Sequence, residues 1–189
     1  MVNFDNDKKQ HMHKLKHLDK SKKGFVDEPI LKLVNLINSK KDYYTTSSCS
    51  GRIVVTAFSD DMKKNKTKWL FVSHALIKKN QFNLKLVREL TYLRFEPFII
   101  HIVAKDIDCA TKLLQSAKDI GLKRAGIISA KNRIVLEIIG HDWLVAPIAK
   151  DNNLLIDKDY LKFLIKEANI KFRNNQKRID LFYSKIKSL

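Results

Sequence analysis

The longest apolar stretch of the chain runs from Tyr92 to Ala104 and is broken in its middle by Glu96-Pro97. Proline has no backbone N–H to donate and its ring clashes inside a helix, so this stretch is neither one helix nor one central strand. It reads as two short strands with a bulge, an edge or a fresh start at Pro97, and Phe98-Ile99-Ile100-His101-Ile102-Val103 is strongly β in composition. A chain whose most apolar segment is strand needs a second layer to cover it, and the flanking segments supply helices.

Those helices show in the spacing. Pro29 in a first turn, Asp27 as a cap and Ile30, Leu33, Val34 and Ile37 predict a helix to about Ser39. Asp106 caps a second, with Ile107, Ala110, Leu113, Leu114, Ala117 and Ile120 on one face and Gly121 as a left-handed end. Leu84, Val87, Arg88 and Leu90 suggest a further short helix. From Asp157 onward Leu161, Leu164, Ala168, Phe172, Asn175, Ile179, Phe182 and Ile186 recur at three and four residues, a coiled-coil-like seam along a long final helix.

Between the helices lie hairpins. Ile53 to Phe58 pairs with Trp69 to His74, and 125–129 pairs with 133–139 across Lys131-Asn132. Trp143 to Ile148 is one more strand, placed near an edge by Pro147. The fold class is therefore α+β: mixed or antiparallel sheets of β-hairpins packed with helices, ending in a long helix. With 189 residues and 44% hydrophobic content the expected organisation is one domain over 1–189, with 1–23 a basic N-terminal helix or arm and 157–189 the C-terminal helix. Five glycines and no Gly-x-Gly-x-x-Gly turn speak against a doubly wound Rossmann-type cofactor fold.

One run fits neither pattern. Tyr43-Tyr44-Thr45-Thr46-Ser47-Ser48-Cys49-Ser50-Gly51-Arg52 has little to build a core from and sits at the edge of a folded body. Its small hydroxyl residues, the close approach Gly51 allows and the donor fork of Arg52 suit an anion or carboxylate cradle. Read from these residues alone, a hydroxyl-rich turn with a strand-edge arginine accounts for them equally well.

A formal net charge of +17 makes polyanions the natural partners. Cys49 and Cys109 form neither a disulfide framework nor a Cys-x-x-Cys metal pair, which points to a reducing, intracellular setting. His11 and His13 have no cysteine or carboxylate at ligand spacing, so the N-terminal segment reads as a solvated basic face and not a metal site. The charged amino terminus is unlike a signal peptide and no run is apolar enough to span a membrane, so a cytoplasmic protein is expected.

Taken together, Thr45 to Arg52, Trp69 with Ser73-His74, Glu96-Pro97-Phe98-Ile99 with His101, and Ala168-Asn169 with Lys171 and Arg178 resemble the tRNA wybutosine-synthesizing protein 3 family. Asp19 to Gly24 with Asp27 extends the resemblance, which covers about Lys14 to Ile186 in motif order. It implies an S-adenosylmethionine-dependent methyltransferase acting on a ring nitrogen of the tricyclic wyosine-type base, built from the guanosine beside the anticodon of phenylalanine tRNA. Ser47, Ser48, Cys49, Ser50, Gly51 and Arg52 are then the expected cofactor residues, with Arg52 toward the methionine carboxylate. Glu96, His101 and His74 are the expected proton acceptors, and Lys23, Trp69, Lys171 and Arg178 are expected to meet the RNA. Two copies of the chain joining through the C-terminal helix would suit its seam. The competing expectation is a non-catalytic tRNA-binding or assembly factor in the same pathway.

Overall fold

A computed structural model describes residues 3–16, 26–58, 67–78 and 86–189, except the side chains of Lys14 and Lys16. Among them the strands form two antiparallel sheets, and the chain gathers into two compact units. One comprises Met1–Ser50, Phe98–His141 and Gln176–Leu189; the other comprises Gly51–Pro97 and Asp142–Asn175.

The first unit contains α1 (Phe4–Lys16), α2 (Glu28–Ser39), β1 (Tyr43–Cys49), β5 (Ile99–Ala104), α3 (Ile107–Asp119), β6 (Gly126–Ser129) and β7 (Ile134–Ile139). Its sheet has the order β1-β5-β7-β6. Alternation sends Ile100, Ile102, Leu136 and Ile138 to one face, where they meet Ile30, Leu33 and Ile37 of α2 and Leu113 and Ala117 of α3. Ile179, Phe182 and Ile186 complete this core. On α1, buried Asp7 accepts from the Tyr44 hydroxyl and, at 2.6 Å, from Arg133 Nη2, while the Phe4 and His11 rings lie 5.4 and 5.1 Å from that of Tyr44. Burial and then the Asp7 bond push the Tyr44 phenol up. Tyr43 donates to the Cys109 carbonyl at 2.9 Å and is pushed up to about 12, chiefly by burial.

The second unit contains β2 (Arg52–Phe58), β3 (Lys68–Ser73), β4 (Leu90–Glu96), β8 (Leu144–Lys150) and β9 (Asn153–Leu154), in the order β3-β2-β4-β8-β9. Ile53, Val55, Leu93, Phe95 and Ile148 point to a core closed by Leu164, Ala168 and Phe172. These three belong to α4 (Lys158–Lys187), whose seam is thus spent inside the chain, its first part in this core and its last part in the other.

Most expected elements are present, including Asp106 accepting from Cys109 N at 2.8 Å and Gly121 with φ +85° ending α3. Pro97 separates β4 from β5, and the two halves of that apolar stretch lie in different sheets. Three readings change. The hydroxyl-rich run lies at a sheet edge, but it is a strand through Cys49 and not a turn, because Tyr43 to Thr46 favour β structure and pairing with β5 extends it through Ser47, Ser48 and Cys49. Residues 86–89 are not helical and Leu90 opens β4, since Leu93 and Phe95 take their burial from sheet alternation; Leu84 lies outside the described residues. Asp27 makes no side-chain cap bond to α2, because its carboxylate accepts from Ser50 N at 2.8 Å instead.

Candidate active site

In the first unit the site begins with a bulge. Thr45 pairs with Ile102 and Ser47 with His101, so Thr46 is the extra residue. Asn38 of α2 holds the strand there: its Oδ1 accepts from Thr45 N at 2.8 Å and its Nδ2 donates to Thr45 Oγ1 at 3.0 Å. The consequence is that Ser47, and not Thr46, stands opposite His101. His101 in turn stands opposite Glu137 on β7. The three side chains form a line across adjacent strands, with Ser47 Oγ 2.8 Å from His101 Nδ1 and His101 Nε2 3.0 Å from Glu137 Oε2. Ser47 is exposed, and His101 and Glu137 are about one-third exposed (29% and 31%), so the line ends at solvent on a hydroxyl.

Glu137, which accepts only, fixes the imidazole proton on Nε2 and leaves the Nδ1 lone pair facing the Ser47 hydroxyl. The arrangement can accept a proton at Ser47 Oγ, pass the serine proton to His101 and balance the resulting charge with Glu137. Ser48 and Cys49 follow, both half-buried. Ser50 is fully buried, its N–H held by Asp27 and its carbonyl accepting from Gln176 Nε2 at 3.4 Å.

The second unit receives the rest of the run. Gly51 has φ +90°, a conformation that favours glycine, and Arg52 opens β2. Arg52 stands opposite Glu96, donating from Nε to Glu96 Oε2 at 2.7 Å, while Arg94 Nη2 lies 3.1 Å from Glu96 Oε1. The Arg52 guanidinium also lies 4.6 Å from the centre of the Trp69 ring. Both oxygens of Glu96 are therefore taken by arginines. His74 is half-buried just past β3. Asn169 pins the segment that follows: Ile77 N donates to its Oδ1 and its Nδ2 donates to Ile77 O, both at 2.9 Å.

Of the residues singled out by sequence, the structure unites Ser47 with His101, and Arg52 with Glu96 and Trp69. Glu96 and His101 fall in different units. Lys171 and Arg178 are half-buried on α4, one in each unit, and Lys23 lies outside the described residues. Glu137 and Arg94 were missed. Neither stands in a motif; strand register sets Glu137 beside His101, whereas Arg94 stands two residues before Glu96 on β4, where alternation puts both on one face.

The model of the family "Methyltransferase TYW3" matches residues 6–188. The chain belongs to this family. It is 35% identical over 172 residues to the tRNA wybutosine-synthesizing protein 3 homolog of Xenopus laevis, covering 88% of this chain and 68% of that one. Against the Danio rerio homolog the identity is 38% over 175 residues, covering 89% and 69%. A Pyrococcus abyssi protein named tRNA(Phe) 7-((3-amino-3-carboxypropyl)-4-demethylwyosine(37)-N(4))-methyltransferase 2 is 33% identical over 171 residues, covering 89% and 83%. The solved PH1069 protein from Pyrococcus horikoshii superimposes with a TM-score of 0.86 at 28% identity, covering 97% of this chain and 96% of that one. The family's α+β architecture, with antiparallel sheets and a long final helix, is the one expected from the sequence and is not a Rossmann fold.

Proposed function

We infer that the chain is a tRNA N-methyltransferase of wybutosine synthesis that uses S-adenosylmethionine to methylate a ring nitrogen of the tricyclic base. That base derives from the guanosine 3′-adjacent to the anticodon of phenylalanine tRNA. The family match over residues 6–188 carries the class of reaction.

The donor set suits the cofactor by type: hydroxyls for a ribose or amine, and a guanidinium for a carboxylate. In the first unit Ser47, Ser48 and Cys49 are assigned to it, and in the second Gly51 and Arg52, while Ser50, fully buried, is assigned to anchoring the run through Asp27 and Gln176. When bound, S-adenosylmethionine supplies an electrophilic methyl group on a sulfonium. The accepting nitrogen must shed its proton, and Ser47, His101 and Glu137 form a route for it: Ser47 Oγ takes the proton as its own passes to His101 Nδ1. Such acid–base help is worth roughly 10²–10⁴ in rate. Glu96, with both oxygens on arginines, is assigned to holding Arg52 and Arg94. His74 is assigned no step. Cytoplasmic residence and the phenylalanine anticodon loop as partner belong to the same proposal, and no helix among the described residues is long and apolar enough to cross a membrane. Because the seam of α4 is buried, any association of copies through that helix would use exposed Tyr160, Phe163, Ile170 or Leu181.

The test is incubation with methyl-labelled S-adenosylmethionine and phenylalanine tRNA from a strain lacking the enzyme, followed by nucleoside analysis. A labelled tricyclic nucleoside is expected. Folded protein that gives no transfer, and no heat on titration with S-adenosylmethionine, would instead be a tRNA-binding factor.

A further inference from the structure

The sheet of the second unit has one face on its core and a second face with a different composition. Register places Arg52 beside Glu96, Val54 beside Arg94, Thr56 beside Tyr92 and Phe58 beside Leu90, with Trp69 of β3 next to Thr56 and Val145 of β8 next to Arg94. Alternation puts all of these opposite the core residues Ile53, Val55, Leu93 and Phe95. Trp69 is half exposed, Val145 is more so, and Phe58, Tyr92 and both arginines are partly exposed.

The groups are arranged as rings and guanidinium planes. The Phe58 and Tyr92 rings meet edge to face at 5.7 Å, the Arg94 guanidinium is 5.9 Å from the Phe58 ring, and Arg52 covers one side of Trp69. The Thr56 hydroxyl beneath them is buried with no hydrogen-bond partner among the described residues. A face meant only for water would not line up three aromatic rings, and one meant for an apolar protein surface would not thread two arginines between them. Flat rings with interleaved cations match what unpaired bases and their phosphates offer, in a protein of formal charge +17.

We propose that this outer face of the β3-β2-β4-β8 sheet is a stacking platform for unpaired bases of an RNA loop. Trp69 and Tyr92 each take a base, and Arg94, which keeps N–H donors beyond its one contact with Glu96, donates to an adjoining phosphate. The proposal rests on the reading of the chain as a tRNA methyltransferase and locates where that substrate is gripped.

The experiment is equilibrium binding of a labelled RNA hairpin carrying the phenylalanine anticodon loop, with a blunt RNA duplex as second probe, over a series of salt concentrations. Trp69→Ala and Tyr92→Ala are each expected to weaken hairpin binding about 5- to 100-fold, leaving the duplex affinity and the salt slope as in the parent. Trp69→Phe should recover most of the loss. Arg94→Gln should lower the salt slope by about one. Urea midpoints of all variants check that they fold. Equal losses on hairpin and duplex, or unchanged hairpin affinity in the folded alanine variants while the parent binds and transfers methyl groups, overturn the platform and leave the enzymatic reading standing. A parent that binds neither probe overturns both.

Discussion

Glu96 separates a structural from a chemical role most sharply. Its carboxylate is 16% exposed and accepts from Arg52 at 2.7 Å and from Arg94 at 3.1 Å. Glu96→Gln keeps the shape but leaves two guanidinium groups facing each other with no counter-charge. A fully buried pair broken on one side costs about 3–5 kcal/mol, and a surface pair about 0–1. At this exposure the expected loss is about 2 kcal/mol, a sizeable part of the roughly 5–15 kcal/mol that holds a domain folded. Urea unfolding measures it, and a cycle with Arg52→Gln should return a coupling of about 1 kcal/mol, since the partners share one bond. Single-turnover methyl transfer, measured across pH under conditions where the variant is fully folded, should stay within about threefold of the parent, because a proton route through His101 does not pass Glu96. If stability moves by less than about 0.5 kcal/mol while the rate falls by about 100-fold or more, Glu96 is the base and the reasoning is wrong.

Other outcomes follow from the same geometry. Ser47→Ala and Glu137→Gln should each slow single-turnover transfer without moving the urea midpoint, Ser47→Ala by about 10²-fold or more, whereas Cys49→Ser should stay active. Phe182→Ala removes a ring with no exposed surface from the first unit's core and should cost about 3–5 kcal/mol in urea unfolding. Asn169→Ala strips both partners from the buried Ile77 backbone; a loss of about 1–3 kcal/mol and faster amide exchange at Ile77 are expected. Tyr43 is held protonated by burial, up to about 12, so its contribution to stability is complete below the ordinary phenol value of 10.0 and is lost as pH rises from there toward 12. Denaturation midpoints against pH should show that alkaline decline in the parent and a shallower one in Tyr43→Phe.

Chain order, element type and family were legible because they are written in local terms. Pro97 must break a strand wherever it stands, the three-and-four spacing of α4 must bury one stripe, and α3 is capped by the Asp106 carboxylate at one end and the left-handed backbone of Gly121 at the other. Asp27 does stand at the N-cap of α2, but its side chain bonds elsewhere for the complementary reason: a capping residue is equally good at accepting from any N–H brought near it, and Ser50 is brought near. The hydroxyl-rich run was recognised as a motif but not as a strand, because its pairing comes from β5, more than a quarter of the chain away.

The sequence by itself determined the α+β composition, the two halves of the Tyr92–Ala104 stretch, the basic charge and the family. Tertiary structure decided which polar side chains work together. A bulge one residue long chooses Ser47 over Thr46 for His101, and register brings in Glu137, which no motif marks. The physical reason is that hydrogen bonds and ion pairs act over about 3 Å, while strand pairing joins residues 36 to 54 positions apart, as in His101–Glu137 and Ser47–His101.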